Sequence, residues 1–383
     1  AQYRQPGNIK VPFWLQPVKY YKGAAWYQKT IDIPAAWAGR PIELYLERVH
    51  WETTVWLDDQ PLGTQNSLGT AHVVALGRAA TPGRHRLTVR VDNRVKNFNV
   101  GQNSHSISDH TQGNWNGLVG QLYLAARPLA YVADAQLFPD IQRKLVVVRL
   151  RLRNTTSRPV AATLSLQATL LAPGTQPLPA LTQPVRLGPD TTALELTYPM
   201  GTQPQLWSEF TPRVYQLAIG LAVEKGPSET QLVRFGMREF GAKGTQFTIN
   251  GMPTFLRGTL ECAISEAAFT AADQAGMYLQ IECSSWANQG ATVGDGAPLD
   301  AWLYAESRRM VRAYGNHPSF CMLTYGNEPA GKQHVAYLTK FVNYWKATDA
   351  RRLYTSASGY CLMLIKSTQN DVVSAVRAES AEA

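Results

Sequence analysis

Three acidic residues stand at the ends of short apolar runs. Glu261 closes Arg257-Gly-Thr-Leu-Glu261, Glu282 closes Leu279-Gln-Ile-Glu282, and Glu328 closes Tyr325-Gly-Asn-Glu328. In a parallel β/α architecture chemistry gathers where strands finish, so a carboxylate there can move a proton or hold a substrate. The same carboxylate can instead cap the next helix, whose N-terminus favours negative charge. For Glu261 and Glu282 the two readings stand level. Glu328 stands apart, because Asn327 precedes it and Asn316-His317-Pro318-Ser319-Phe320 leads into its strand. Trp286, four residues beyond Glu282, offers either an aromatic face to a sugar ring or ordinary packing. His317 reads as a residue that orients the loop before the Glu328 strand, since its neighbours supply no partner ligands for a metal.

The elements that must position these groups fall into three segments. From Tyr20 to Arg127, alternating runs such as Ile42-Glu-Leu-Tyr-Leu46 and Arg86-Leu-Thr-Val-Arg-Val91 are separated by turn signals such as Thr81-Pro82-Gly83. This pattern predicts an antiparallel β-sandwich of jelly-roll type. From Ala130 to Phe240 the alternation continues, with Leu145 to Arg153 as a long strand carrying Arg149, Arg151 and Arg153 on one face. That length and strand density suit an immunoglobulin-like sandwich. After Gly241 a hairpin at Asn250-Gly251 gives way to helices alternating with strands, the pattern of parallel β/α units. The expected architecture is therefore multidomain β plus α/β: a jelly-roll-like β-sandwich over 1–128, an immunoglobulin-like β-sandwich over 129–241, and a partial (β/α)8 TIM barrel over 242–383.

The chain has 383 residues, 45% hydrophobic and 17% charged, which excludes a disordered chain. No apolar run approaches eighteen residues, so no membrane span is expected. Lys+Arg 37 against Asp+Glu 28 gives a net charge of +9. The basic residues are scattered, which argues against a nucleic-acid partner. Cys262, Cys283, Cys321 and Cys361 show no C-x-x-C spacing. They read as buried free thiols, with neither a metal site nor a cofactor expected. The Ala1-Gln2 start, without a charged and apolar leader, fits a processed periplasmic or secreted product and equally a trimmed chain.

On Asn327-Glu328 after the His-Pro-Ser loop, the sequence resembles the family 2 glycoside hydrolases, the β-galactosidase, β-glucuronidase and β-mannosidase group. Tyr21-Lys-Gly-Ala-Ala-Trp-Tyr27, Trp115-Asn-Gly-Leu-Val-Gly120, Leu206-Trp-Ser-Glu-Phe-Thr-Pro212, Phe235-Gly-Met-Arg-Glu-Phe240 and Leu256-Arg-Gly258 agree with it, as does the segment order. The resemblance implies a retaining exo-β-glycosidase with Glu328 as general acid/base and Asn327 on the sugar 2-hydroxyl. Glu282, Trp286 and Glu261 join as substrate-side candidates, and the implied partner is an oligo- or polysaccharide. Neutral β-galactosides are the family default; the basic balance tilts toward glycans bearing uronic acids. A homo-oligomer is compatible with the same reading. Trp115 and Asn116 suit either sugar binding or docking of the sandwich.

Retention needs a second carboxylate, the nucleophile, roughly 5–5.5 Å from the acid. In the family it ends the seventh strand, and three further units would take roughly 90 residues. Only 55 follow Glu328, and their only glutamates, Glu379 and Glu382, lie in an Ala/Glu/Ser tail. Near the start of the barrel, Cys262-Ala-Ile264 runs directly through Ser265 into the helix before Glu282, where the family places another helix and strand. A closed eight-strand barrel is therefore not expected. Two readings follow: a family 2 glycosidase whose chain as given is inactive or partial, or a non-catalytic carbohydrate-binding protein with a degenerate barrel. Counting the strands separates them.

Overall fold

The computed structural model describes residues 21–96, 98–107, 115–224, 226, 228–262 and 265–358. Cys361, Glu379 and Glu382 lie outside them.

The first segment forms seven strands: β1 (Ala24–Ile33), β2 (Ile42–His50), β3 (Glu52–Leu57), β4 (Gln60–Gln65), β5 (His72–Ala75), β6 (Gly83–Asp92) and β7 (Gly117–Ala126). They make two sheets, in the orders β1-β6-β3-β4 and β5-β2-β7. Period-two alternation turns Ile42, Leu44 and Leu46 of β2 inward, where they join Val55, Leu57, Val89 and Val91 in one core.

The second segment is built the same way from β8 (Ala130–Asp140), β9 (Leu145–Asn154), β10 (Val160–Leu170), β11 (Leu181–Leu187), β12 (Asp190–Pro199), β13 (Tyr215–Val223) and β14 (Glu229–Phe235). Its sheets run β11-β10-β13-β14 and β12-β9-β8. Along β9, Val146, Val148, Leu150 and Leu152 are buried, and the arginines between them face out. Those arginines pair across the strands: Arg149 with Glu195 at 2.7 Å, and Arg153 with Asp190.

A small sheet of β15 (Phe240–Lys243), β16 (Gln246–Ile249) and β17 (Met252–Thr254) turns at Asn250-Gly251 and leads to the β/α region. There follow β18 (Gly258–Glu261), α1 (Glu266–Ala275), β19 (Tyr278–Glu282), α2 (Pro298–Tyr314), β20 (Phe320–Thr324), α3 (His334–Thr348) and β21 (Leu353–Thr355). Ser265 caps α1 by accepting from the Ala268 amide, and Gly276 ends it in the left-handed conformation. The four strands pair in parallel in the order β18-β19-β20-β21, so among the described residues the sheet is open, as the residue count requires. No described helix is long and apolar enough to cross a membrane.

Buried polar contacts dock the first two segments on this sheet. Glu306 of α2 is fully buried, and its Oε1 accepts from Ser67 Oγ at 3.0 Å, the Leu68 amide at 2.8 Å and the Gly69 amide at 2.7 Å. Its Oε2 accepts from Arg309 Nε at 2.8 Å. Asn316 accepts from the Leu137 amide and donates to the Ala135 carbonyl, both at 2.8 Å, which ties β8 to the loop before β20. Removing one member of a buried, paired cluster typically costs about 3–5 kcal/mol, because its partners stay desolvated. Glu306→Ala is expected to lower unfolding free energy by about that much in urea titration. A loss below roughly 1 kcal/mol would show that this contact does not hold the first sandwich in place.

Candidate active site

Glu328 lies just beyond β20, an interior strand with a neighbour on each side. The residues after Thr324 stay paired on both sides, keeping the β21 register and slipping by one residue on the β19 side. Asn327 bridges to Trp286 and to Ser358, its amide donates to the Ser285 carbonyl at 2.7 Å, and the Ser358 amide donates to the Gly326 carbonyl at 2.9 Å. Gly326 has φ +153°, and a Cβ there would fall 2.2 Å from the Ser285 carbonyl oxygen. Only glycine allows the two strand ends to come this close. Glu328 itself is held at φ 35°, a left-handed conformation that costs a non-glycine residue free energy and that collects at functional sites.

Two side chains hold the carboxylate. Trp286 Nε1 donates to Glu328 Oε2 at 2.6 Å, and Asn288 Nδ2 approaches the same oxygen at 3.5 Å. The Asn288 amide also donates to the Glu328 carbonyl at 2.9 Å. The indole is therefore the near donor to this carboxyl group, a role its residue type alone did not specify. Below the site, the Tyr325 hydroxyl donates to the Asn327 carbonyl and Gln280 Nε2 donates to Ser358 Oγ, each at 2.8 Å.

A loop of the first sandwich completes the arrangement. The Trp286 amide donates to the Val100 carbonyl at 2.7 Å, and the Gln102 amide donates to the Gln289 carbonyl at 2.8 Å. Gly101, with φ +102°, sits where a Cβ would lie 2.0 Å from the Trp286 carbonyl oxygen. His105 follows, its ring 4.8 Å from that of Trp286 and its Nδ1 3.3 Å from Glu282 Oε1.

Asn327, Glu328 and Trp286 thus come together. Glu282 is 1% exposed and turned toward His105 and Cys262. Glu261, at the neighbouring tip, is half-buried, and burial raises its pKa. Burial and the Glu282 charge also push the Cys262 thiol upward. Cys262, Cys283 and Cys321 are free. His105 and Asn288 were missed in the sequence. The available signal for His105 was a lone histidine in the polar loop Gly101-Gln-Asn-Ser-His-Ser106, more than 170 residues from its carboxylate. Trp115 and Asn116 line a cavity of about 360 Å³ within the first sandwich, with Tyr27 and His50. The Arg48 guanidinium covers the Trp115 ring at 4.1 Å.

His317 is a scaffold residue. Its Nδ1 meets Asp273 Oδ2 at 2.7 Å and its Nε2 meets Glu266 Oε2 at 3.2 Å. Asp273 Oδ1 also accepts from the Ser319 amide at 3.0 Å and its hydroxyl at 2.6 Å, so α1 is bound to the start of β20.

The sequence model described as "Glycosyl hydrolases family 2" matches residues 130–238. The chain is 23% identical to a β-galactosidase of Enterobacter cloacae, over 90% of this chain and 37% of that protein. It is 22% identical to a β-galactosidase of Oenococcus oeni, over 78% and 32%. The chain therefore spans about a third of the length of these curated relatives. In fold it resembles a Bacteroides uniformis β-glucuronidase, with a TM-score of 0.74 and 19% identity over 88% of this chain and 46% of that one. It also resembles a β-galacturonidase of Eisenbergiella tayi solved with galacturonate, with a TM-score of 0.70 and 18% identity over 88% and 64%.

Burial pulls the His317 pKa down, but the hydrogen bonds and charges of Asp273 and Glu266 outweigh it and raise the pKa from 6.5 to about 9. A folded pKa above the unfolded one gives stability that is complete below pH 6.5 and is lost as pH rises through about 9. Unfolding free energy is expected to fall across that window by on the order of 3 kcal/mol. His317→Gln should flatten the profile. The same slope in wild type and variant would contradict this assignment.

Proposed function

We propose that this chain, a β-galactosidase/β-glucuronidase-like member of glycoside hydrolase family 2 whose parallel sheet is not closed into a complete barrel, carries the acid/base half of a retaining exo-β-glycosidase site. The observation that carries the reading is Glu328 just past an interior strand, its backbone held left-handed and its carboxylate held on one oxygen by the Trp286 indole. Both side-chain donors meet Oε2, so Oε1 is the oxygen that transfers the proton.

In the first step Glu328 gives its proton to the glycosidic oxygen as the bond to the anomeric carbon breaks. In the second step it takes a proton from the attacking water. Asn327, fixed between the ends of β19 and β21, donates to the sugar 2-hydroxyl, a contact that strengthens as the ring becomes oxocarbenium-like. In family 2 the nucleophile ends the seventh barrel strand, and the four described parallel strands include none in that place, so the nucleophile is sought outside the described residues. The substrate is a terminal β-linked sugar of the β-galactoside or β-glucuronide class. Comparing aryl β-galactoside with aryl β-glucuronide as substrates of a chain that supplies the remaining strands decides between the two.

The open four-stranded sheet favours a second reading, a carbohydrate-binding protein without catalysis. The two readings part at Glu328→Gln, made in a chain with the remaining strands. General acid catalysis contributes about 10²–10⁴-fold. The variant should lose that factor on alkyl glycosides, whose poor leaving groups need a proton, and far less in the first step on dinitrophenyl glycosides. Equal loss on both would make Glu328 structural or the nucleophile. No hydrolysis by the unsubstituted protein that carries the remaining strands would leave the binding reading.

A further inference from the structure

Beside Glu328, three side chains from three separate stretches of chain converge. His105 comes from the sandwich loop, Cys262 follows β18, and Glu282 ends β19. His105 Nδ1 lies 3.2 Å from Cys262 Sγ and 3.3 Å from Glu282 Oε1, and ligand atoms of all three lie within 4.8 Å of one another. Glu282 is 1% exposed, and its Oε2 has no hydrogen-bond partner among the described residues. A carboxylate buried this deeply is costly unless its remaining lone pairs are met.

The spacing suits a small divalent cation. With bonds of about 2.0–2.2 Å to nitrogen and oxygen and about 2.3 Å to sulfur, a tetrahedral site has nitrogen–oxygen and nitrogen–sulfur edges of about 3.4 and 3.6 Å. The two separations at His105 Nδ1 are within about 0.4 Å of those edges. The donor set is one nitrogen, one sulfur and one carboxylate oxygen. This mixture selects zinc or cobalt over magnesium and calcium, which take oxygen alone.

We propose that His105 Nδ1, Cys262 Sγ and the Glu282 carboxylate form a site for zinc, or a similar borderline-soft divalent cation, with the fourth position open. Binding displaces the thiol proton to solvent, fixes the His105 proton on Nε2, and takes Glu282 through Oε1, with bidentate coordination bringing Oε2 to the cation as well. It also clips the sandwich loop to the ends of β18 and β19, next to Trp286. The site does not depend on Glu328 acting as an acid.

The test is titration of the 383-residue protein with Co²⁺, followed by displacement with Zn²⁺. One equivalent of cobalt should bind and give a sulfur-to-cobalt charge-transfer band in the near ultraviolet. Zinc should remove the band, and excess Mg²⁺ or Ca²⁺ should leave it. Zinc should also raise the melting temperature. His105→Ala and Cys262→Ser should each weaken zinc binding at least about tenfold, and Cys262→Ser should abolish the band. A saturated cobalt complex without a thiolate band would overturn the proposal in the unsubstituted protein, whatever the fate of the variants. A band that survives Cys262→Ser, or displacement by magnesium or calcium, would do so equally.

Discussion

A single buried carboxylate sets how the molecule goes together. Glu306 is enclosed on α2, and water cannot compensate its charge. Two loop amides and a hydroxyl of the first sandwich do so on one oxygen, and Arg309 on the other. The sandwich sits on the sheet with residues 67–69 at that oxygen, a placement that Trp302 Nε1 and the Tyr314 hydroxyl also hold by donating to the Asn66 and Gly69 carbonyls. From there its next long loop comes down on the strand ends, where Val100 and Gln102 pair with the backbone of Trp286 and Gln289. The Trp286 indole is thereby aimed at Glu328. Glu328 is positioned, through this chain of contacts, by a segment that contributes no strand to its sheet.

Local geometry and global closure are separable here. A parallel sheet gains by having both faces and both edges covered, and a closed barrel meets that demand without edges. The four described strands do not close. Even so, β20 is an interior strand, and the residues that follow it remain paired to β19 on one side and β21 on the other. Gly326, Asn327 and Glu328 take their shape from those two neighbours. The Glu328 end of the candidate site is thus built within the four described strands alone.

Much of this could be read from the sequence where the signal is local. Period-two alternation marked a strand from Leu145 to Arg153, which is β9, and the helix-and-strand alternation after Gly241 marked the three described helices and the parallel strands between them. Asn327-Glu328 stood out because it follows a His-Pro-Ser loop. The contacts that give those residues their setting are not local. The partners of His317 lie on a helix about 50 residues earlier, and His105 reaches its carboxylate across 177 residues. Spacing motifs also pointed away from the cluster at Cys262, because its three members belong to different elements and no short pattern joins them. Trp286 was legible as an aromatic near a strand end, but its indole N–H as the donor to Glu328 was not, since that depends on the sandwich loop that fixes its backbone.

The central proposal is that Glu328 is an acid/base and that neither the described carboxylates nor Glu379 and Glu382 serve as its nucleophile. The most direct measurement is intact-mass spectrometry after incubation with activated 2-deoxy-2-fluoro-glycosides of galacto and glucurono configuration, which trap a nucleophilic carboxylate as a stable glycosyl ester. The account predicts no mass shift with either reagent. A stoichiometric adduct of one fluoro-sugar on any glutamate or aspartate of the 383-residue chain would contradict it.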